Sequence, residues 1–260
     1  MPGNGNNVYA LVDCQGADAS TTFTDESLGG STHTVTAAGD AQVDTGITDA
    51  WGGNDGCLMV DGDGDHLALT VDTGDFAFPD EFGIDTWIRP NAINTNDVIF
   101  GNGYTSGGYM LYLNVDGNIG CLNQLGWVMT ARAHGLSANT WAHVAIMRDQ
   151  GNIRVYLDGV HFYSGAYTTA LNSIGTFYYG HDPDWASAAF AGYMQELRVI
   201  NGSCPIRSAG DPLYIASGDH TDGFTPPTAK YAALASEPVI GLLPRVARPI
   251  NRTNPFDLVW

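Results

Sequence analysis

The sequence predicts an all-β protein, a two-sheet antiparallel jelly-roll sandwich with an extended C-terminal arm. Three observations predict it. Helix formers are scarce, with only four glutamates (26, 81, 196 and 237) and one lysine (Lys230) against 33 glycines in 260 residues, so helix should be a minor component. From Val8 to Val199 short β-rich runs alternate with Gly, Asp and Asn clusters, the spacing of a sandwich or barrel. Beyond Phe224 six of the 12 prolines (226, 227, 238, 244, 249 and 255) fall in the last 35 residues, a density that prevents helix and central strand alike.

Individual elements follow from the turns. Runs 108–115 and 118–122 flank Asp116-Gly117, and runs 152–157 and 160–163 flank Asp158-Gly159. Glycine there supplies the positive φ of a tight hairpin. Gln150-Gly151 joins 152–157 to the run 141–147, which makes an antiparallel meander. Further strands are expected at 8–13, 32–37, 57–60, 66–71, 82–89, 97–101, 127–132, 176–180 and 189–200. So many strands exceed one flat open sheet, and two sheets packed face to face are the natural solution. The sandwich is placed at residues 1–231 and the arm at 232–260. The arm is not a polar linker, because Val239-Ile-Gly-Leu-Leu243 and Pro255-Phe-Asp-Leu-Val-Trp260 are apolar enough to want a surface. Leu242, Leu243, Arg245, Arg248, Phe256 and Trp260 are its expected docking residues, either back onto its own sandwich or onto a neighbouring chain, another copy or another virion protein.

Charge narrows the function. The formal net charge is −18, and it is unevenly placed: residues 1–225 hold 26 acidic and 6 basic side chains, residues 226–260 hold 2 and 4. An acidic body repels phosphate backbones, so nucleic acid is excluded as a partner. No apolar run reaches the ~18–20 residues of a membrane helix, and the first residues lack the basic and apolar parts of a signal peptide, so synthesis in a cytoplasm without membrane insertion is expected. Four widely spaced cysteines (14, 57, 121 and 204) show no zinc spacing and are expected to be packed, reduced thiols.

Several segments carry a resemblance: Thr21-Thr-Phe-Thr-Asp-Glu-Ser27, Val60-Asp-Gly-Asp-Gly-Asp-His-Leu67, Phe82-Gly-Ile-Asp-Thr-Trp-Ile-Arg-Pro90, Trp141-Ala-His-Val-Ala-Ile-Met-Arg148, Val155-Tyr-Leu-Asp-Gly-Val160, Gly192-Tyr-Met-Gln-Glu-Leu-Arg-Val199 and Phe224-Thr-Pro-Pro-Thr-Ala229. In order and spacing the chain resembles the laminin-G-like branch of the concanavalin A-like lectin and glucanase family. The closing segment, with the stretch from 34 to 42, resembles such domains in tailed-phage, especially marine, virion proteins. The resemblance implies two curved sheets, often a calcium ion, and roles in glycan recognition, adhesion or structural display on a virion. Gln195 stands where many relatives have an acid, which puts a metal at that position in doubt.

Candidate sites are few. Asp61, Asp63 and Asp65 put three acids at alternate positions in a Gly-rich turn, oxygens that calcium could use, with Asp13 as a further ligand; the alternative is an ordinary unmetallated turn. For a sugar platform the loop aromatics are Tyr104, Trp127 and Trp185, with Asp182 and Asp184 to bind hydroxyls, against the reading of partly buried packing residues. Trp87 and Trp141 are expected in the core, and His143 as a hydrogen-bonded strand histidine. No Gly-x-Ser-x-Gly or His-Glu-x-x-His motif occurs, and none of the glutamates has the Glu-x-Asp-x-x-Glu neighbourhood of a glucanase. The expected function is non-enzymatic: a phage structural or decoration protein whose displayed jelly roll aids adhesion to host glycans, with a carbohydrate-binding adhesin module as the alternative and a glycoside hydrolase built on an aspartate pair as the less favoured one.

Overall fold

The computed structural model describes residues 8–27, 29, 32–70, 74–207, 211, 213–216 and 220–231. The arm and its six docking candidates lie outside these residues. Fifteen strands form two antiparallel sheets. They are β1 (Val8–Val12), β2 (Thr34–Ala38), β3 (Gln42–Asp44), β4 (Cys57–Asp61), β5 (His66–Thr70), β6 (Phe82–Pro90), β7 (Asp97–Gly101), β8 (Tyr109–Leu113), β9 (Asn118–Asn123), β10 (Gly126–Ala133), β11 (Ala142–Asp149), β12 (Asn152–Leu157), β13 (Val160–Ala166), β14 (Phe177–Tyr179) and β15 (Ala191–Asn201). One sheet runs β13-β12-β11-β6-β15-β4-β3 with β1 also paired to β15, and the other runs β10-β9-β8-β7-β14-β5-β2. Sequence reading misses only β3, a three-residue strand in which Val43 alone is buried.

The turns behave as their residues dictate. Gln150 and Gly151 have φ of 48° and 76°, Asp158 and Gly159 of 50° and 73°. Both pairs close two-residue hairpins, Asp149 opposite Asn152 and Leu157 opposite Val160, the double positive φ that matches strand twist. Alternation then builds the core between the sheets. Ile84, Ile88, Val144, Ile146, Val155 and Val199 of the eight-stranded sheet meet Leu67, Leu69, Tyr109, Leu111, Ile119, Phe177 and Tyr179 of the seven-stranded one. Trp87 and Trp141 are not in this core. Trp87 alternates with Ile88 and falls on the outer face, where it packs against His143, and Trp141 is half-buried with its indole N–H donated to the Thr48 carbonyl.

That outer face is covered by described residues between Cys204 and Tyr231. Cys204, Ile206, Leu213, Ile215 and Phe224 pack on Ala145, Met147 and Tyr156, and a Cβ at Gly159 would fall 1.9 Å from the Phe224 carbonyl oxygen. Polar contacts fasten the cover. Buried Asp85 accepts from Arg198 Nε (2.8 Å), from His143 Nε2 (3.2 Å) and from the Tyr231 hydroxyl. Arg198 also bonds Asp211 at 3.0 Å and lies 4.0 Å over the Tyr231 ring. Burial alone would raise the Asp85 carboxyl, but Arg198, His143 and Tyr231 hold it below its ordinary value. Removing one partner of such a buried pair costs about 3–5 kcal/mol. All four cysteines are buried free thiols, and burial pushes Cys57 up to about 12.

β15 serves two neighbours on one flank. Residues 191–194 pair with β4 and residues 197–200 with β1, and the switch is made at Glu196, a non-glycine residue at φ 56°. Its side chain is 1% exposed, one oxygen accepts the Tyr231 amide at 3.3 Å, and the other has no hydrogen-bond partner. Burial, with Asp13 and Asp85 nearby, pushes this carboxyl from 4.5 up to about 8. The folded chain thus holds the proton more tightly than the unfolded one, and stability falls as pH rises from about 4.5 to about 8, then levels. Glu196→Gln removes this titration. Relative to the variant, wild type should lose urea midpoint between those two pH values; parallel profiles would show that Glu196 carries no such proton.

Candidate functional site

Among the described residues, the outer face of the seven-stranded sheet has no comparable cover. Tyr109, Leu111, Leu113, Ile119 and Cys121 point inward, so by alternation Met110, Tyr112, Gly120 and Leu122 point outward. Met110, Tyr112, Val98 and Ala188 form a small outer cluster, with Tyr104, Leu122 and Trp185 packed against it. Trp185 meets Tyr112 edge-on, with ring centroids 5.5 Å apart. Trp127 stands opposite Leu122 on β10 and lies over Gly120: a Cβ there would fall 2.9 Å from the indole and 3.2 Å from the Tyr112 ring. A glycine at 120 therefore lets the indole settle against the sheet beside Tyr112. Trp127 remains 48% exposed. The three sequence candidates Tyr104, Trp127 and Trp185 thus converge, and Tyr112, hidden in an ordinary strand pattern, is the aromatic that joins them. Trp127 is a strand residue, not a loop residue, because β10 begins one residue before it.

Asp182 and Asp184 are engaged by backbone amides. They open a 3-10 helix over Pro183–Ala188, in which Asp182 Oδ1 caps the Asp184 amide at 2.9 Å. Asp182 Oδ2 accepts from the Gly103 and Tyr104 amides at 2.9 and 3.3 Å. Asp184 Oδ2 accepts from the Thr105 and Ser106 amides, both at 2.8 Å, and its Oδ1 from the Ser106 hydroxyl at 2.9 Å. The two carboxylates brace the loop 102–108 that presents Tyr104. Burial raises the Asp182 carboxyl against these bonds. For Asp184 slight burial is outweighed by the Thr105 and Ser106 bonds, which hold it below the usual carboxylate range. Beside them His181 stacks on His66 with centroids 4.7 Å apart, and burial with the His66 ring pushes His181 down to about 4.

The metal candidates regroup as well. Asp40, Asp61 and Asp65 each offer an oxygen within 4.8 Å of the others. Asp65 accepts the Asp40 amide at 2.9 Å and the Asp61 amide at 3.1 Å. A Cβ at Gly39 would fall 1.9 Å from Asp65 Oδ1, so this glycine leaves room for the cradle. These residues fit a hard cation that completes its shell with water, since calcium takes about six to eight oxygens. Asp63 is not in the group and gives its amide to Asp61 Oδ1 at 2.8 Å. Asp13 is spent elsewhere, on the Gln15 amide and on Lys230 Nζ at 3.3 Å. Gln195 accepts the Ala50 amide at 3.0 Å and fastens the loop beside it. Asp40 was missed because it comes from a different turn, 21 residues before Asp61 in the chain.

Two sheets, one covered by its own chain and one bearing aromatics, define a lectin-type jelly roll. The sequence profile of the concanavalin A-like lectin/glucanases superfamily matches residues 61–204, more than half of the chain, and the chain belongs to that superfamily. No curated protein matches it significantly. Among solved structures it is similar to domain 4 of a GH43 extracellular arabinanase from Geobacillus stearothermophilus, in complex with arabinotriose (TM-score 0.58, 19% identity, 79% of this chain and 97% of that one). It is also similar to the botulinum neurotoxin serotype D binding domain (TM-score 0.55, 15% identity, 75% of this chain and 48% of that one). A botulinum neurotoxin type C structure, whose cell entry depends on two ganglioside molecules, gives TM-score 0.54 at 14% identity, with 75% and 48% covered. This chain spans about half of the toxin chains, and at these identities the likeness concerns the fold.

The loop brace is testable. Asp182→Ala strands the amides of Gly103, Tyr104 and Asp184 and should cost about 1–3 kcal/mol and speed hydrogen exchange at Gly103 and Tyr104. Asp184→Ala, at a more exposed carboxylate, should cost less. Equal exchange in wild type and Asp182→Ala would refute the brace.

Proposed function

We propose that this chain is a non-enzymatic carbohydrate-binding module displayed on a phage virion. The observation that carries the binding reading is the convergence of Tyr104, Tyr112, Trp127 and Trp185 on one outer sheet face. Pyranose C–H faces stack on such rings, and the neighbouring Thr105, Ser106 and Gln124 offer hydroxyl and amide partners. Superfamily membership and neighbours solved with arabinotriose or tied to gangliosides support the same reading. Asp182 and Asp184, the carboxylates beside the platform, are engaged by backbone amides, which speaks against a pair of acids poised for glycoside cleavage there.

Trp127→Ala and Trp185→Ala should each weaken binding on a glycan array by about tenfold, the loss of one stacking contact. Trp127→Ala should do so with an unchanged melting temperature, since that ring is half exposed. A glycan signal untouched by both substitutions would refute the platform.

The virion placement is supported by the resemblance of the 34–42 and 224–229 segments to tailed-phage proteins. The arm at 232–260, mildly basic and apolar at its end, is proposed to dock on neighbouring subunits, drawn by the acidic body. Deleting 232–260 should leave the sandwich folded and abolish particle attachment. Full occupancy of particles by the truncated chain would remove the arm from this role, and the adhesin alternative would then stand.

Calcium is proposed as a structural ion held by Asp40, Asp61 and Asp65. Millimolar calcium should raise the melting temperature of wild type and not of Asp61→Asn; an unresponsive wild type would rule the ion out.

A further inference from the structure

Among the described residues, the six cations whose side chains are described are engaged elsewhere than on the aromatic face. Arg89 lies 5.3 Å over Tyr193 on the eight-stranded sheet. Arg132 shares β10 with Trp127, but its guanidinium turns to the Tyr163 ring of β13, 5.0 Å away. Arg148 gives its N–H groups to the carbonyls of Phe78, Asp80 and Thr169. Arg154 pairs with Asp149 at 3.0 Å, Arg198 with Asp85 at 2.8 Å and Lys230 with Asp13 at 3.3 Å.

Histidine does not supply the missing charge. The two on this face, His66 and His181, stack ring on ring with centroids 4.7 Å apart, and burial with the His66 ring pushes His181 down to about 4. A fixed negative charge stands beside the rings instead, the Asp184 carboxylate next to Trp185 in the chain.

We infer that the aromatic face selects uncharged saccharides and excludes sialylated, sulfated and uronic-acid-bearing glycans. This rests on the glycan-binding reading above and goes beyond it by naming the ligand class. A carboxylate or sulfate on the sugar needs a cation or an array of free amide donors when it leaves water. Here the loop amides of Gly103 to Ser106 are already occupied by Asp182 and Asp184. The anion would also approach a body with 26 acidic and 6 basic side chains in residues 1–225, whose field repels it before contact. Neutral hydroxyls meet no such barrier, and stacking on Trp127 and Tyr104 needs no charge.

The test uses the full chain on an array of matched pairs: galactosyl glycans with and without terminal sialic acid, and uronic-acid polysaccharides before and after carboxyl reduction. Binding that depends on Trp127, by comparison with Trp127→Ala, should fall on the uncharged member of each pair. The acidic member should bind at least about tenfold more weakly at low salt, with the gap narrowing at about 0.5 M salt as screening shortens the repulsion. Trp127-dependent binding of acidic members as tight as that of neutral ones would overturn the inference and leave the glycan site standing. Absence of any Trp127-dependent binding would overturn both.

Discussion

The buried Asp85 carboxylate is the contact on which the arrangement of faces depends. It sits mid-strand on β6, where alternation sends it outward, and it is satisfied only because β15 brings Arg198, β11 brings His143 and the returning chain brings Tyr231. An unpaired carboxylate there would be prohibitively costly to bury. Fastening Tyr231 to the sheet goes with Cys204, Ile206, Leu213, Ile215 and Phe224 packing on that outer face. Among the described residues the other outer face carries the aromatic cluster instead.

Aspartate does a second job throughout the chain. Glutamates number four among 28 acids, and the structure gives the reason. Asp25 accepts the Leu11, Ser27 and His33 amides, Asp49 those of Trp51 and Gly53, Asp44 that of Gly46 and Asp18 that of Thr45. The short side chain reaches a backbone amide two residues on or across a loop, where glutamate would overshoot. Asp182 and Asp184 belong to this set. Acids that a sequence presents as ligand groups are here the joints that hold aromatic loops in place. The superfamily likeness explains the scaffold, whereas the placement of Trp127 over Gly120 and of Trp185 on Tyr112 is set by this chain's own packing.

The site was partly legible. Tyr104, Trp127 and Trp185 stand out because large aromatics near Gly-rich loops have few local reasons to be there. Tyr112 did not stand out, because Tyr109-Met-Leu-Tyr-Leu113 is buried throughout and gives no sign of which residues face the second, outer cluster. Asp40 was likewise invisible, since its neighbours in space come from another turn.

Periodicity, turn residues and charge by themselves determined that this is an antiparallel β-sandwich, where fourteen of its strands run, and that its body is acidic. These are local or summed properties: alternation sets a strand, paired positive φ sets a hairpin, and charges add whatever the fold. Only tertiary structure decided which sheet face the described residues cover, which acids are braces, which three approach as a cation cradle, and that the cations with described side chains are engaged away from the aromatics. Each of those depends on contacts between residues far apart in the chain, whose geometry is set when strands β6, β15 and β11 close around Asp85 and the returning segment locks over them.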